Sequence, residues 1–204
     1  DVACGTGLHA QFLATHGASV TACDLSAAMI DKARKLHNQP VVTYEVGDMC
    51  AVAGGPYDLA LCLGNSLSLL ADEAQLMQAF RSIRAALAPG GLFVVQTLNY
   101  SNPALLQSRH RVEQHSADGL DIVAAKVFVP VGDVTLLSIT FWARGSEGLK
   151  VVNEAAVLRH ISSGEMEDAA RQVGLEVIQI CGDFAGRPYE PEESTDVIVV
   201  FKAP

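Results

Sequence analysis

Apolar positions in the first half of the chain alternate between two spacings. Leu8 and Phe12 share one helical face, and Gly17 ends that pattern. Residues 18–23 form a short apolar run closed by Asp24. Behind Ser26, whose hydroxyl can cap a helix, Met29, Ile30, Ala33 and Leu36 return at helical spacing until Pro40. Residues 41–46 read as a strand closed by Gly47-Asp48, and residues 51–56 as a Gly-containing loop. After Asp58, residues 59–63 are continuously apolar, as expected of a central parallel strand covered on both faces. Asp72 and Gln75 have capping-box spacing ahead of Leu76, Phe80, Ile83 and Leu87. Pro89-Gly90-Gly91 is expected to stop that helix and turn into a strand over 92–97. The order helix, strand, helix, strand, strand, helix, strand predicts an α/β doubly wound sheet.

The pattern then changes. Between Arg109 and His160 no long helical spacing occurs, and β-rich runs at 120–129, 134–143 and 149–158 are separated by Gly-containing turns. An antiparallel β meander over 107–160, inserted into the α/β domain, is expected. Ser162 and Glu165 then open a capped helix that ends near Gly174, and 175–181 and 195–201 read as two closing strands.

Composition narrows the function classes. Half of the 204 residues are hydrophobic, enough for a full core in one domain. The net charge is −9, with 14 Lys plus Arg spread along the chain, which argues against a nucleic-acid partner. No apolar run is long enough to span a membrane. None of the five cysteines forms a Cys-x-x-Cys pair, so buried free thiols in a reducing, cytoplasmic setting are expected and a metal site is not.

Candidate chemistry gathers at the predicted strand ends. Asp1-Val2-Ala3-Cys4-Gly5-Thr6-Gly7 places an acid, two small or apolar residues and a Gly-x-Gly turn before a helix. Its glycines permit close approach of a ligand to the main chain. The carboxylate of Asp24 can accept from both hydroxyls of a ribose, and Asp48 can accept from an adenine amino group. With Ala10, the glycines also fit a relaxed dinucleotide pattern, so nucleotide type stays open on these residues alone. Asn65 in Gly64-Asn65-Ser66, and Asn99-Tyr100, sit where crevices form in doubly wound folds. His110 and His115 are placed on one edge strand, and Trp142 in the packing of the meander.

Taken together, Asp1 to Gly7, Asp24, Gly47-Asp48-Met49, the strand from Tyr57 and Pro89-Gly90-Gly91 resemble the class I S-adenosylmethionine-dependent methyltransferases. The resemblance implies a Rossmann-like fold closed by an antiparallel last strand. It also implies S-adenosyl-L-methionine as cofactor, bounded by Asp1, Ala3, Gly5, Gly7, Asp24, Leu25, Asp48, Met49 and Leu63. The stretch Cys62-Leu63-Gly64-Asn65-Ser66-Leu67, with Asn99-Tyr100, is similar to the glycine and sarcosine N-methyltransferase branch. That gives Asn65 and Tyr100 the substrate side. Where the glycine enzymes carry a His-Arg pair that grips a carboxylate, this chain has Thr97-Leu98. The expectation is direct in-line methyl transfer to a small-molecule acceptor, an amine, in a single domain over 1–204. By the same resemblance, the strand ahead of Asp1 is expected to be missing. A non-catalytic nucleotide-binding module and an NAD-dependent oxidoreductase are the alternatives.

Overall fold

A computed structural model describes residues 1–117 and 119–204. The α/β part contains α1 (Leu8–Thr15), β1 (Val20–Asp24), α2 (Ala27–Leu36), β2 (Val42–Val46), β3 (Tyr57–Cys62), α3 (Glu73–Ala86) and β4 (Leu87–Leu98). Four long strands follow: β5 (Arg109–Ala117), β6 (Leu120–Val131), β7 (Val134–Gly145) and β8 (Gly148–Arg159). The chain closes with α4 (Ser163–Gln172), β9 (Glu176–Cys181) and β10 (Asp196–Lys202).

β1 pairs with β2 in parallel, and β3, β4, β10 and β9 form a second sheet in that order. β3 and β4 are parallel, whereas β10 runs antiparallel to both its neighbours. The first four residues join the two sheets. Val2 bridges Cys23 in parallel, and its amide donates to the Leu61 carbonyl at 2.8 Å. The order is therefore β2, β1, residues 1–4, β3, β4, β10, β9, with the parallel strands ending on one side. On the other side of Asp1 and Val2, a cavity of about 640 Å³ opens between β1 and β3.

Helix α3 locks this sheet. Phe80 meets Phe93 of β4 and Phe201 of β10 edge-on, both at 5.5 Å, and those two rings stack at 5.7 Å. Such pairs add about 0.5–1.5 kcal/mol each beyond burial. On the other side, α1 and α2 lie on β1 through small side chains. Ala10, Ala22, Ile30 and Ala33 are fully buried there.

Several expectations shift. Leu8, Phe12, Met29 and Leu36 are exposed, and Ala10 and Ala14 of α1 with Ile30 and Ala33 of α2 pack against the sheet instead. Leu87 does not continue α3. It pairs with Tyr57 as the first residue of β4, and the register then jumps to Leu59 opposite Leu92, so residues 88–91 bulge outward. Pro89-Gly90-Gly91 thus interrupts a strand rather than preceding one. β3 is covered only in part, with Leu59 exposed at the cavity beside it. The edge strand expected to carry His110 and His115 is β5, which pairs along β6 and joins the three β-rich runs as a fourth strand of the meander. His110 and His115 lie on β5, both exposed and on opposite faces.

Candidate active site

Two groups of side chains meet at the C-terminal ends of the parallel strands. The first lines a crevice of about 530 Å³, a size that suits a nucleotide-like small molecule. Its walls include Ala3, Asp24, Leu25, Asp48 and Met49, all expected from the sequence. They also include Cys50, Ser66, Leu69, Leu70 and Gln75, to which the sequence reading gave no part in cofactor binding. These come from two 3-10 turns, Met49–Ala51 and Ser66–Leu69, and from the start of α3. Such short turns leave no periodic signal in the sequence.

Asp24 organises the glycine loop. One carboxylate oxygen accepts from the Gly5 amide at 2.8 Å and the other from the Ser26 amide at 2.9 Å. The acid therefore ties the loop to the N-terminus of α2 while keeping lone pairs for a ligand. Asp48 caps the Met49–Ala51 turn by accepting from Cys50 N at 2.8 Å with one oxygen. Gly7 sits at φ 80°, and a Cβ there would come within 2.6 Å of the Tyr44 hydroxyl, so glycine is required. Around Gly5 the space is open. Ala3 holds a left-handed φ of 54°, which costs a non-glycine residue roughly 1–2 kcal/mol. Strain of that kind collects at ligand-binding loops.

Asp1, Gly5, Gly7 and Leu63 are not among the crevice walls. Asp1 lines the cavity between β1 and β3, and one of its carboxylate oxygens is buried without a hydrogen-bond partner. The carbonyl of Leu63 accepts from Ser66 Oγ at 2.8 Å and so shapes the turn after β3.

The second group centres on Asn65, which adopts φ 64°, a region asparagine tolerates. Its Oδ1 accepts from Leu98 N at 2.8 Å and from Ser68 Oγ at 2.9 Å. Its Nδ2 donates to the Tyr100 hydroxyl at 3.0 Å. One Nδ2 hydrogen and the Tyr100 hydroxyl hydrogen remain. Beneath this turn, Gln96 Oε1 accepts from the amides of Gly64 and Asn65, and its Nε2 donates to Asp196 at 2.6 Å. Gln96 stands as a polar residue in an otherwise apolar strand, and that interruption was the signal available.

His160 was not foreseen. Its ring stacks on Tyr100 with centroids 4.2 Å apart and planes 15° from parallel. Its Nε2 lies 2.8 Å from the hydroxyl of Thr135, which is fully buried. Burial lowers the pKa of His160, against a smaller opposing effect of Asp133, so the ring is neutral near pH 7. His160 follows the meander, so no local spacing ties it to Tyr100.

Asn99 falls away from the site. Its Nδ2 donates to the carbonyls of Pro191 and Ser194, both at 2.8 Å. Its Oδ1 accepts from Ser101 N and the Tyr189 hydroxyl. All its polar capacity pins the loop before β10 to the end of β4. Burial pushes the thiols of Cys4 up to about 11 and Cys62 up to about 12, with Asp24 adding to the shift at Cys4. Neither is a nucleophile at neutral pH. Among the described residues, no cluster could hold a metal ion, and no helix is long and apolar enough to cross a membrane.

The chain is similar in sequence and fold to known proteins. Residues 1–91 match a family described as Methyltransferase domain. Glycine N-methyltransferase of Oryctolagus cuniculus is 34% identical over 120 residues, half of this chain. The match covers 41% of that protein, so this chain spans less than half of its length. The cypemycin N-terminal methyltransferase of a Streptomyces species is 27% identical over 216 residues, covering 99% of this chain and 81% of that protein. Among solved structures, SAM-bound CalS10, an amino pentose methyltransferase from Micromonospora echinaspora, superposes with a TM-score of 0.77 at 24% identity. That likeness covers all of this chain and 82% of the other, and establishes the Rossmann-like α/β fold.

Proposed function

We propose that this chain is a class I S-adenosylmethionine-dependent methyltransferase that methylates an amine on a small molecule by direct in-line displacement. The observation that carries this reading is the juxtaposition at one side of the sheet. The crevice bearing Asp24 and Asp48 shares its wall at Ser66 with the turn that presents Asn65 to Tyr100.

The residues fit S-adenosylmethionine. Asp24 keeps acceptor capacity for ribose hydroxyls, Asp48 for an adenine amino group, and the space around Gly5 is open for the aminoacyl end. When bound, the cofactor supplies a methyl group already activated on a sulfonium. What the chain contributes is position. Met49 and Leu25 form apolar crevice walls. The free Nδ2 hydrogen of Asn65 and the hydroxyl of Tyr100 are the groups that hold the acceptor in line at near-attack distance. Leu98 donates its amide to Asn65 and offers no side-chain charge, so an acceptor without a gripped carboxylate is favoured. An uncharged amine needs no strong base to attack, which matches a cluster whose only imidazole is neutral and engaged. The relatives agree in kind, since a glycine N-methyltransferase, a cypemycin N-terminal methyltransferase and an amino pentose methyltransferase are each named for an amine-bearing substrate or an N-terminus.

A screen with methyl-labelled cofactor over amino sugars, amino acids, peptides and phenols tests the reading. Label on nitrogen of an amine is expected. Label confined to oxygen or carbon acceptors contradicts it.

A further inference from the structure

Gln96 follows the apolar run Leu92-Phe93-Val94-Val95 of β4 and is only 5% exposed. A buried carboxamide is unfavourable unless its polar atoms are paired, and this one is engaged at both ends. Its Oε1 accepts from two successive amides, Gly64 N at 2.8 Å and Asn65 N at 3.1 Å. Its main-chain carbonyl accepts from Asn65 N as well, at 3.2 Å. At the other end Nε2 donates to Asp196 Oδ1 at 2.6 Å. In the antiparallel register Asp196 opposes Leu98, two residues on from Gln96, so acid and amide share one face of the sheet. The second oxygen of Asp196 accepts from Thr195 Oγ1 at 2.8 Å.

The turn that receives Gln96 needs such a hold. Gly64 and Asn65 are both left-handed, at φ 73° and 64°. Among the described residues, Gln96 Oε1 is the acceptor of the Gly64 amide. The turn in turn directs the Asn65 side chain, whose Nδ2 reaches the Tyr100 hydroxyl. The two ends of a carboxamide differ in polarity and hardly in shape. Rotated by half a turn, Gln96 would set its NH2 against two N–H groups and its carbonyl against an acceptor-only carboxylate. Both ends therefore select one orientation. The carboxylate also makes its own hydrogen bond charge-assisted and polarises the amide, which strengthens Oε1 as an acceptor.

We propose that Gln96, fixed by Asp196, is a positioning residue for methyl transfer: it holds the Gly64–Asn65 turn in the geometry that aims Asn65 Nδ2 at the acceptor. The proposal rests on the reading of Asn65 as a group that holds the acceptor. Asp196 lies 100 residues along the chain from Gln96. Neither residue lines the crevice beside Asp24. Their loss should therefore slow transfer and leave cofactor binding intact.

Three variants test this. Gln96→Met keeps the length of the side chain and removes the acceptor. Gln96→Glu with Asp196→Asn exchanges acid and amide: the carboxylate then accepts from both turn amides and from the new carboxamide, whose oxygen still takes the Thr195 hydroxyl. Asp196→Ala leaves Gln96 without its anchor. Turnover is read with methyl-labelled S-adenosylmethionine and pooled amino sugars, amino acids and peptides. It should fall on the order of tenfold in Gln96→Met, fall less in Asp196→Ala, and recover in the exchanged pair. Calorimetric affinity for S-adenosylmethionine should stay at the wild-type level in all three. Amide hydrogen exchange at Gly64 should quicken in Gln96→Met and Asp196→Ala, and the Asn65 Nδ2 resonances should shift. A Gly64 amide that stays protected in both overturns the positioning itself. A freed amide with wild-type turnover overturns the proposal through the reading of Asn65 instead. Turnover and cofactor affinity falling together, or an exchanged pair no better than Gln96→Met, marks a merely structural residue and also overturns it. If Gln96→Met does not fold, Asp196→Ala and the exchanged pair carry the test; if the pool takes no label, the Gly64 exchange and Asn65 resonances decide.

Discussion

Asn65 illustrates how much one residue carries. Three hydrogen bonds and a left-handed backbone join the ends of β3 and β4 to Tyr100. Asn65→Ala forfeits all three and adds strain, so methyl transfer should fall by at least tenfold, while calorimetric cofactor affinity changes far less. Tyr100→Phe keeps the stack on His160 and removes the hydroxyl, and kcat should drop with little change in melting temperature. The neutral state of His160 has a pH consequence. Its folded pKa is lowered by burial, so below its ordinary value near 6.5 the unfolded chain binds more protons than the native one. The stability that His160 withholds from protonation is present above that range and is lost as pH falls through it. Melting temperature should therefore decline from pH 7.5 to 5.5, and less steeply in His160→Phe; equal slopes would remove His160 from the account. The acids Asp24 and Asp48 and the turn at Asn65 were legible in the sequence because each ends an apolar run. His160 and Thr135 were not, since only tertiary packing brings the meander to Tyr100.

At the level of elements, caps and small side chains decide placement. The capping box at α4 is complete: Ser162 Oγ accepts from Glu165 N, and Glu165 Oε2 accepts from Ser162 N at 2.9 Å. The other oxygen of Glu165 meets Arg159, so the exit of β8 is fastened to the start of α4. Ser162→Ala should cost about 1 kcal/mol, read as a melting temperature lower by about 2–4 °C. At α3 the box is only half formed. Asp72 accepts from Gln75 N at 2.8 Å, but Gln75 Oε1 accepts from Ala71 rather than from the cap residue. Periodicity located all four helices. It misassigned the buried face of α1, because Leu8 and Phe12 outrank Ala10 and Ala14 in hydrophobicity, yet the alanines are the residues that pack against β1. Leu87 was drawn into α3 by its spacing, and the bulge at 88–91 that returns it to β4 depends on pairing with Tyr57.

The whole molecule assembles these pieces around one edge of the sheet. Parallel strands must end on the same side, and the chain places its glycine loop, Asp24, Asp48, Asn65 and Asn99 at those ends. The antiparallel last strand was implied by the family resemblance, and its place between β4 and β9 is set by pairing rather than by any local signal. β5 was legible as an edge strand carrying His110 and His115, but its pairing along β6 was not, since Val112 is the one large apolar residue in Arg109–Ala117. The central claim is that the crevice beside Asp24 takes S-adenosylmethionine. Titration calorimetry of the chain with S-adenosylmethionine, its demethylated product and NAD measures this directly. One molecule of cofactor or product per chain should bind, NAD should not, and Asp24→Asn should weaken binding by about 10–100-fold through the loss of charge-assisted hydrogen bonds. Binding of NAD in place of the sulfonium cofactor, or full affinity in Asp24→Asn, would contradict it.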